Sequence, residues 1–135
     1  MLSKMSDNRT HSASQFTLVY FFLNHWFKPA KIDRSVIGVR SRIGNESTVI
    51  NTYMMGNDSY ETLEEIDRNK TKILMGIGER CFIKNAIVDK NCRIGDDVRI
   101  NGGPHLKDKE TDMYCIKDGI VVIKKGATIP KGYVI

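Results

Sequence analysis

Few residues in this chain are of a type that does chemistry, and their spacing narrows the choice. The histidines are His11, His25 and His105, the side chains suited to act as a base near neutral pH. The cysteines are Cys81, Cys92 and Cys115. Their number is odd, they lie far apart, and no Cys-x-x-Cys or Cys/His spacing accompanies them. Neither a disulfide framework nor a zinc site is expected, and a reducing compartment suits them better. Four glycosylation-type triplets, at Asn8, Asn45, Asn57 and Asn69, are read as chance matches. The lysines remain. A formal charge of +5 and a pI near 9.2 make the chain basic, yet its cations come as singles and pairs broken by Asp and Glu. That pattern attracts small anions rather than building a nucleic-acid stripe, and no aromatic residues interleave with it as base stacking would need. Most such lysines are simply solvated.

What must position these groups is a six-residue period. From Ile37 the sequence reads Ile-Gly-Val-Arg-Ser-Arg, then Ile43-Gly-Asn-Glu-Ser-Thr, then Val49-Ile-Asn-Thr-Tyr-Met. The phase returns at Ile77 and Ile83, slips by one residue to Val88, and continues through Ile94 and Ile100. It reappears at Ile123, Ile129 and Ile135. An α-helix would scatter such positions around its cylinder, and a simple alternating strand would place apolar residues at every second site. A period of six suits a short strand, a corner and a repeat. Three sides close a triangular coil, and stacked coils bury a column of Ile and Val. The expected fold is therefore all-β: a parallel β-helix of about four coils. The Gly after a leading Ile is read as a place where the backbone bends or packs closely. The small place four residues after the leading residue holds Ser41, Ser47, Cys81, Cys92, Val98 or Ala127, which makes Cys81 and Cys92 packing residues rather than nucleophiles.

Two interruptions break the column. The first runs from about Met54 to Met75, and its Thr62-Leu63-Glu64-Glu65 reads as a capping box opening a short helix. The second, about Asn101 to Tyr114, is rich in Gly, Lys and Asp and reads as a surface loop. Residues 1–31 share no pattern with the rest. Lys4 and Arg9 ahead of the apolar run Phe16–Leu23 hint at a signal or transit peptide, but no small-residue cleavage motif follows. A run of about eight apolar residues falls far short of the roughly 20 that span a bilayer, so no membrane association is expected. The division expected is an unmatched segment over 1–31, disordered or non-native, and a β-helix domain over 32–135.

The first interruption carries a family likeness. Met54-Met55-Gly56-Asn57-Asp58-Ser59-Tyr60-Glu61-Thr62 resembles the Met-Gly-Ala-Asp-x-Tyr-Glu-Thr segment of plant ADP-glucose pyrophosphorylases. The resemblance extends over Ser35–Arg42, Gly76-Ile77-Gly78, Ala86–Gly95, Gly119–Ile123 and Ala127–Pro130, and leans toward the large-subunit type. It implies a left-handed hexapeptide β-helix, the C-terminal part of a glucose-1-phosphate adenylyltransferase subunit. That plastid enzyme converts ATP and glucose 1-phosphate to ADP-glucose and pyrophosphate in starch synthesis, using magnesium with ATP. Its catalytic domain begins with a Gly-rich, Arg-containing phosphate loop, and nothing of that kind occurs here. The resemblance therefore implies no catalytic residue, no metal ligand and no cofactor in this chain, and no activity by the chain alone. It implies instead subunit assembly within a heterotetramer and allosteric regulation by small phosphorylated effectors, 3-phosphoglycerate activating and phosphate inhibiting. Two family effector lysines fall on Lys90 and Lys125 here. A lysine is a compact charge with three donors, suited to phosphate or carboxylate. The chain departs from the family at Asn101–Leu106, where a longer acidic loop is usual, and at Lys117-Asp118, where the family has Arg-Ser.

Two other classes compete. A hexapeptide acyltransferase trimer would share the prism and need a His base, for which only His105 lies within the patterned region. A stand-alone interaction module would use the uncovered first coil. Trimer formation with CoA affinity would mark the first, and co-purification with a pyrophosphorylase subunit the second.

Overall fold

The computed structural model describes residues 28–135; the signal- or transit-peptide hint at Lys4, Arg9 and Phe16–Leu23, and all but the last four residues of the segment read as 1–31, lie outside the described residues. Eleven short strands appear among them, and all but the second insertion pair in parallel. In chain order they are β1 (Lys31–Asp33), β2 (Val36–Ile37), β3 (Thr48–Met54), β4 (Gly76–Ile77), β5 (Phe82–Val88) and β6 (Arg93–Ile94). There follow β7 (Arg99–Asn101), β8 (Lys109–Glu110), β9 (Tyr114–Lys117), β10 (Ile120–Ile123) and β11 (Thr128–Ile129).

The registers stack the leading aliphatics into three columns. On the first side Ile32 pairs with Val49, Val49 with Ile83, and Ile83 with Ile100. On the second side the column is Ile37, Met54, Val88 and Ile123. On the third it is Ile43, Ile77, Ile94 and Ile129. Four rungs per column make four coils, as the hexads predict. Val49, Ile77, Ile83, Ile94, Ile100, Ile123 and Ile129 are fully buried, while Ile37, Ile43 and Ile135 pack against them from the ends. Each buried Ile or Val contributes about 1.5–3 kcal/mol by leaving water, so this column is the main source of stability.

The small places behave as expected. Ser47, Cys81, Cys92 and Val98 are buried, and the Ser47 hydroxyl donates to the Gly78 carbonyl at 2.7 Å while accepting from the Cys81 amide at 3.0 Å. Burial raises both thiols, that of Cys92 to about 11, which keeps them protonated and inert.

The glycines after the leading residues do not make the bends. A Cβ on Gly44 would lie 2.6 Å from the Gly78 carbonyl, and one on Gly78 2.7 Å from the Gly95 carbonyl carbon, so these glycines let neighbouring coils meet. The corners fall elsewhere. Arg40, Glu46, Arg80, Asn91 and Asp97, each three places past a leading residue, take the left-handed conformation with φ of 56–61°. On the first side the corner comes sooner, at Asn51 (φ 47°) and Asn85 (φ 53°), inside the seven-residue strands β3 and β5. The slip before Val88 is this short side, repeated between Val49 and Met54, which places Met54 inside the column rather than in the interruption. The Asn51 amide donates to the Asn85 carbonyl oxygen (2.6 Å), and the Asn85 amide to the Gly102 carbonyl (2.7 Å), tying that edge together.

The first insertion holds helix α1 (Leu63–Arg68) with the predicted capping box: the Thr62 side chain accepts from the Glu65 amide, and the Glu65 carboxylate accepts from the Thr62 amide. The second insertion corrects the sequence reading. It is not simply a surface loop, because residues 109–117 form β8 and β9, an antiparallel pair that joins the edge of β10. Asp118-Gly119, with φ of 51° and 81°, makes the two-residue turn between β9 and β10. Tyr114 and Ile116 are thereby buried, with Tyr114 opposite Ile123 and edge-on to Tyr133, so the hairpin covers the last coil of the second side.

Candidate functional site

The lysines singled out in the sequence, Lys90 and Lys125, are brought together by the second corner of the prism. Lys90 follows Val88-Asp89 at the end of β5, and its ammonium stands 3.2 Å from one oxygen of Asp58. Lys125 lies one coil further on, where the Gly126 amide donates to the Lys90 carbonyl (2.9 Å). Its ammonium is 3.9 Å from the other oxygen of the same carboxylate. Residues 35 apart in sequence thus address one anionic group because coils stack at the strand spacing of about 4.8 Å.

Asp58 was not among the sequence candidates. The Asn91 side chain donates to its carboxylate (3.0 Å) and accepts from its backbone amide (2.9 Å). Hydrogen bonds from Lys90 and Asn91 and the charges of both lysines lower the Asp58 carboxyl below its ordinary value. The ion pair is accordingly complete at neutral pH and dissolves only as acidification passes that lowered value. A signal did exist: Asn57 lies one 17-residue coil beyond Arg40, so the next residue must emerge at the same corner. There Asn57 is buried, donating to the Arg40 carbonyl (2.7 Å) and accepting from the Asn91 amide (3.2 Å), while Arg40 donates to the Asn57 carbonyl (2.9 Å).

The root of the insertion is held by a second tie. One oxygen of Glu61 accepts from the Met75 amide (2.8 Å). The other, which no other polar atom reaches, meets the Arg93 guanidinium at 2.6 Å, with the Glu61 side chain only 8% exposed. Among the described residues no group of three or more His, Cys, Asp or Glu is placed to hold a metal ion. Nor is any described helix long and apolar enough to cross a membrane. His105 is exposed and does not line the 440 Å³ recess beside its loop.

That recess lies on the outer face of the second side. There Val36, Tyr53, Ile87, Val122 and Cys115 are register partners in successive strands, forming an outward apolar ladder across all four coils and the hairpin. Val36 is 61% and Tyr53 50% exposed, with Arg34 and Asp118 on the rim of the recess.

The three-column prism agrees with a comparison against known families. Residues 25–134 match the GLGC left-handed parallel beta-helix domain. The chain belongs to this family. The coils described above are therefore those of a left-handed β-helix, as the resemblance implied. Among curated proteins the chain is similar to the glucose-1-phosphate adenylyltransferase small subunit, chloroplastic/amyloplastic, of Triticum aestivum, with 45% identity over 114 residues. The alignment takes in 80% of this chain but 24% of that subunit, so the chain spans about a quarter of its relative's length. The relative is a small subunit and lends the large-subunit leaning of the sequence no support.

Proposed function

We propose that this β-helix is the assembly and regulatory portion of a plastid glucose-1-phosphate adenylyltransferase subunit, and that its second corner binds small phosphorylated effectors. In the whole enzyme, ATP and glucose 1-phosphate would give ADP-glucose and pyrophosphate. These 135 residues contain no Gly-rich phosphate loop, so that chemistry, with its magnesium, is assigned to another part of the subunit. The partners are other pyrophosphorylase subunits, and the outward apolar ladder is the surface proposed to meet them. Its exposed Val36 and Tyr53 are of the kind that interfaces cover.

The observation that carries the effector reading is the convergence of Lys90 and Lys125 on a single carboxylate. Two ammonium groups within reach of one small anion favour a dianion over a monoanion, since each added charge interacts with both. Titration calorimetry of the chain with inorganic phosphate and 3-phosphoglycerate tests this. Both ligands are expected to bind, and the Lys90→Gln/Lys125→Gln double substitution to abolish the binding. Undiminished binding by the double variant would refute the site.

A further inference from the structure

The corner site already has an occupant, supplied by the chain itself. Asn57 is fixed to the coils on either side of it, through Arg40 and Asn91. Immediately afterwards the chain leaves the prism, and Asp58 turns its carboxylate back over Lys90, Asn91 and Lys125. Two ammonium groups and one amide donor around two oxygens is how a small oxyanion is held. The pair is half exposed, at 44% for the Lys90 side chain and 49% for that of Asp58, so water competes for it and the contact is reversible.

We propose that Asp58 is an intramolecular competitor at this corner, and that a phosphate-type dianion binds by displacing it. The inference rests on reading Lys90 and Lys125 as an anion-binding pair. Displacement by a monoanion replaces one negative charge with another and loses the advantage of a tethered ligand. A dianion brings a second charge to two lysines, so Asp58 makes the corner selective for dianions as well as blocking it. The movement it permits is short. Asn57 anchors one side and Glu61, paired with Arg93, the other, so only Asp58 to Tyr60 swing free. That segment carries the exposed Tyr60 (75%), so anion binding at the lysines would change the surface the insertion presents.

The test is a titration of the 135-residue chain with inorganic phosphate at neutral pH and low salt, followed by amide chemical shifts. Four proteins are compared: the unaltered chain, Asp58→Asn, Lys90→Gln/Lys125→Gln, and Asp112→Asn, an exposed acid on the second insertion. If the corner is open only part of the time, apparent affinity is reduced by the open fraction, and neutralising Asp58 restores it. Asp58→Asn is expected to bind phosphate about five- to tenfold tighter. In the unaltered chain, phosphate should shift the Asp58 amide and the Asn91 side-chain amide, whose mutual hydrogen bonds would be broken. Asp112→Asn should bind as the unaltered chain does. Equal affinity for Asp58→Asn, or an equal gain for Asp112→Asn, overturns the competitor while the lysine site stands, provided the double lysine variant loses binding. Phosphate binding that survives the double lysine variant removes the site itself, and the competitor with it.

Discussion

The interior of the prism and the corner bearing Asp58 are held by opposite means. Inside, aliphatic side chains recurring every five or six residues fill three columns, and each rung packs on its neighbours in the stack, so removing one is felt beyond its own coil. At the corner and insertion the chain is held by a few polar ties: Asn57 to Arg40 and Asn91, Glu61 to Met75 and Arg93, Thr62 to Glu65. No residue of α1 is buried. The column provides global stability, whereas the insertion has local stability, which is what a segment that responds to a ligand requires.

The difference can be broken at either end. The largest effect is expected from Ile83→Ala in the middle rung, which leaves a cavity among Val49, Ile100 and their neighbours. A loss of about 3–4 kcal/mol is expected in denaturant unfolding, with all probes moving together. A smaller loss would mean that the coils slide to fill the void. Next is Glu61→Gln, which leaves the Arg93 guanidinium, 21% exposed, without its counter-charge. Because the pair is only partly buried, the expected cost is about 2 kcal/mol. It should appear as faster hydrogen exchange over residues 58–75, with the column strands little affected; uniform acceleration would show that insertion and prism unfold as one. The smallest effect is expected from Thr62→Ala. It removes the cap of a solvent-facing helix at about 1 kcal/mol and should be visible in exchange of the Glu65 and Ile66 amides without a change in melting temperature.

The two regions also differ in how far sequence reveals them. The column was legible because burial on one side of every strand enforces a spacing that Ile, Val and Gly record directly. Even the slip before Val88 had a cause in the five-residue side cornered at Asn85. Helix α1 was legible through its own cap. The β8–β9 hairpin was not, because a Gly- and Lys-rich stretch masks it, although Asp118-Gly119 between Cys115-Ile116 and Ile120-Val121 is a hairpin turn signal. At the site, Lys90 and Lys125 came from family likeness, since nothing in composition separates them from Lys84 or Lys131. Asp58 required the coil length, because its partners lie 32 and 67 residues away and only stacking brings them within reach.

That coil length sets rules for how such a molecule can change size. Contacts recurring at 17 residues mean that each turn is a fixed quota of chain, and those at 34 span one turn together with the first insertion. One residue gained or lost on a side would rotate every later Ile toward solvent. A corner, by contrast, can pay out a long insertion, as after Gly56, and take up the thread at Ile77 on the next side of the same coil without disturbing the rest. Duplicating a whole 17-residue turn should lengthen the prism, and new segments should be tolerated at its edges, whereas single-residue deletions within the strands should be rejected.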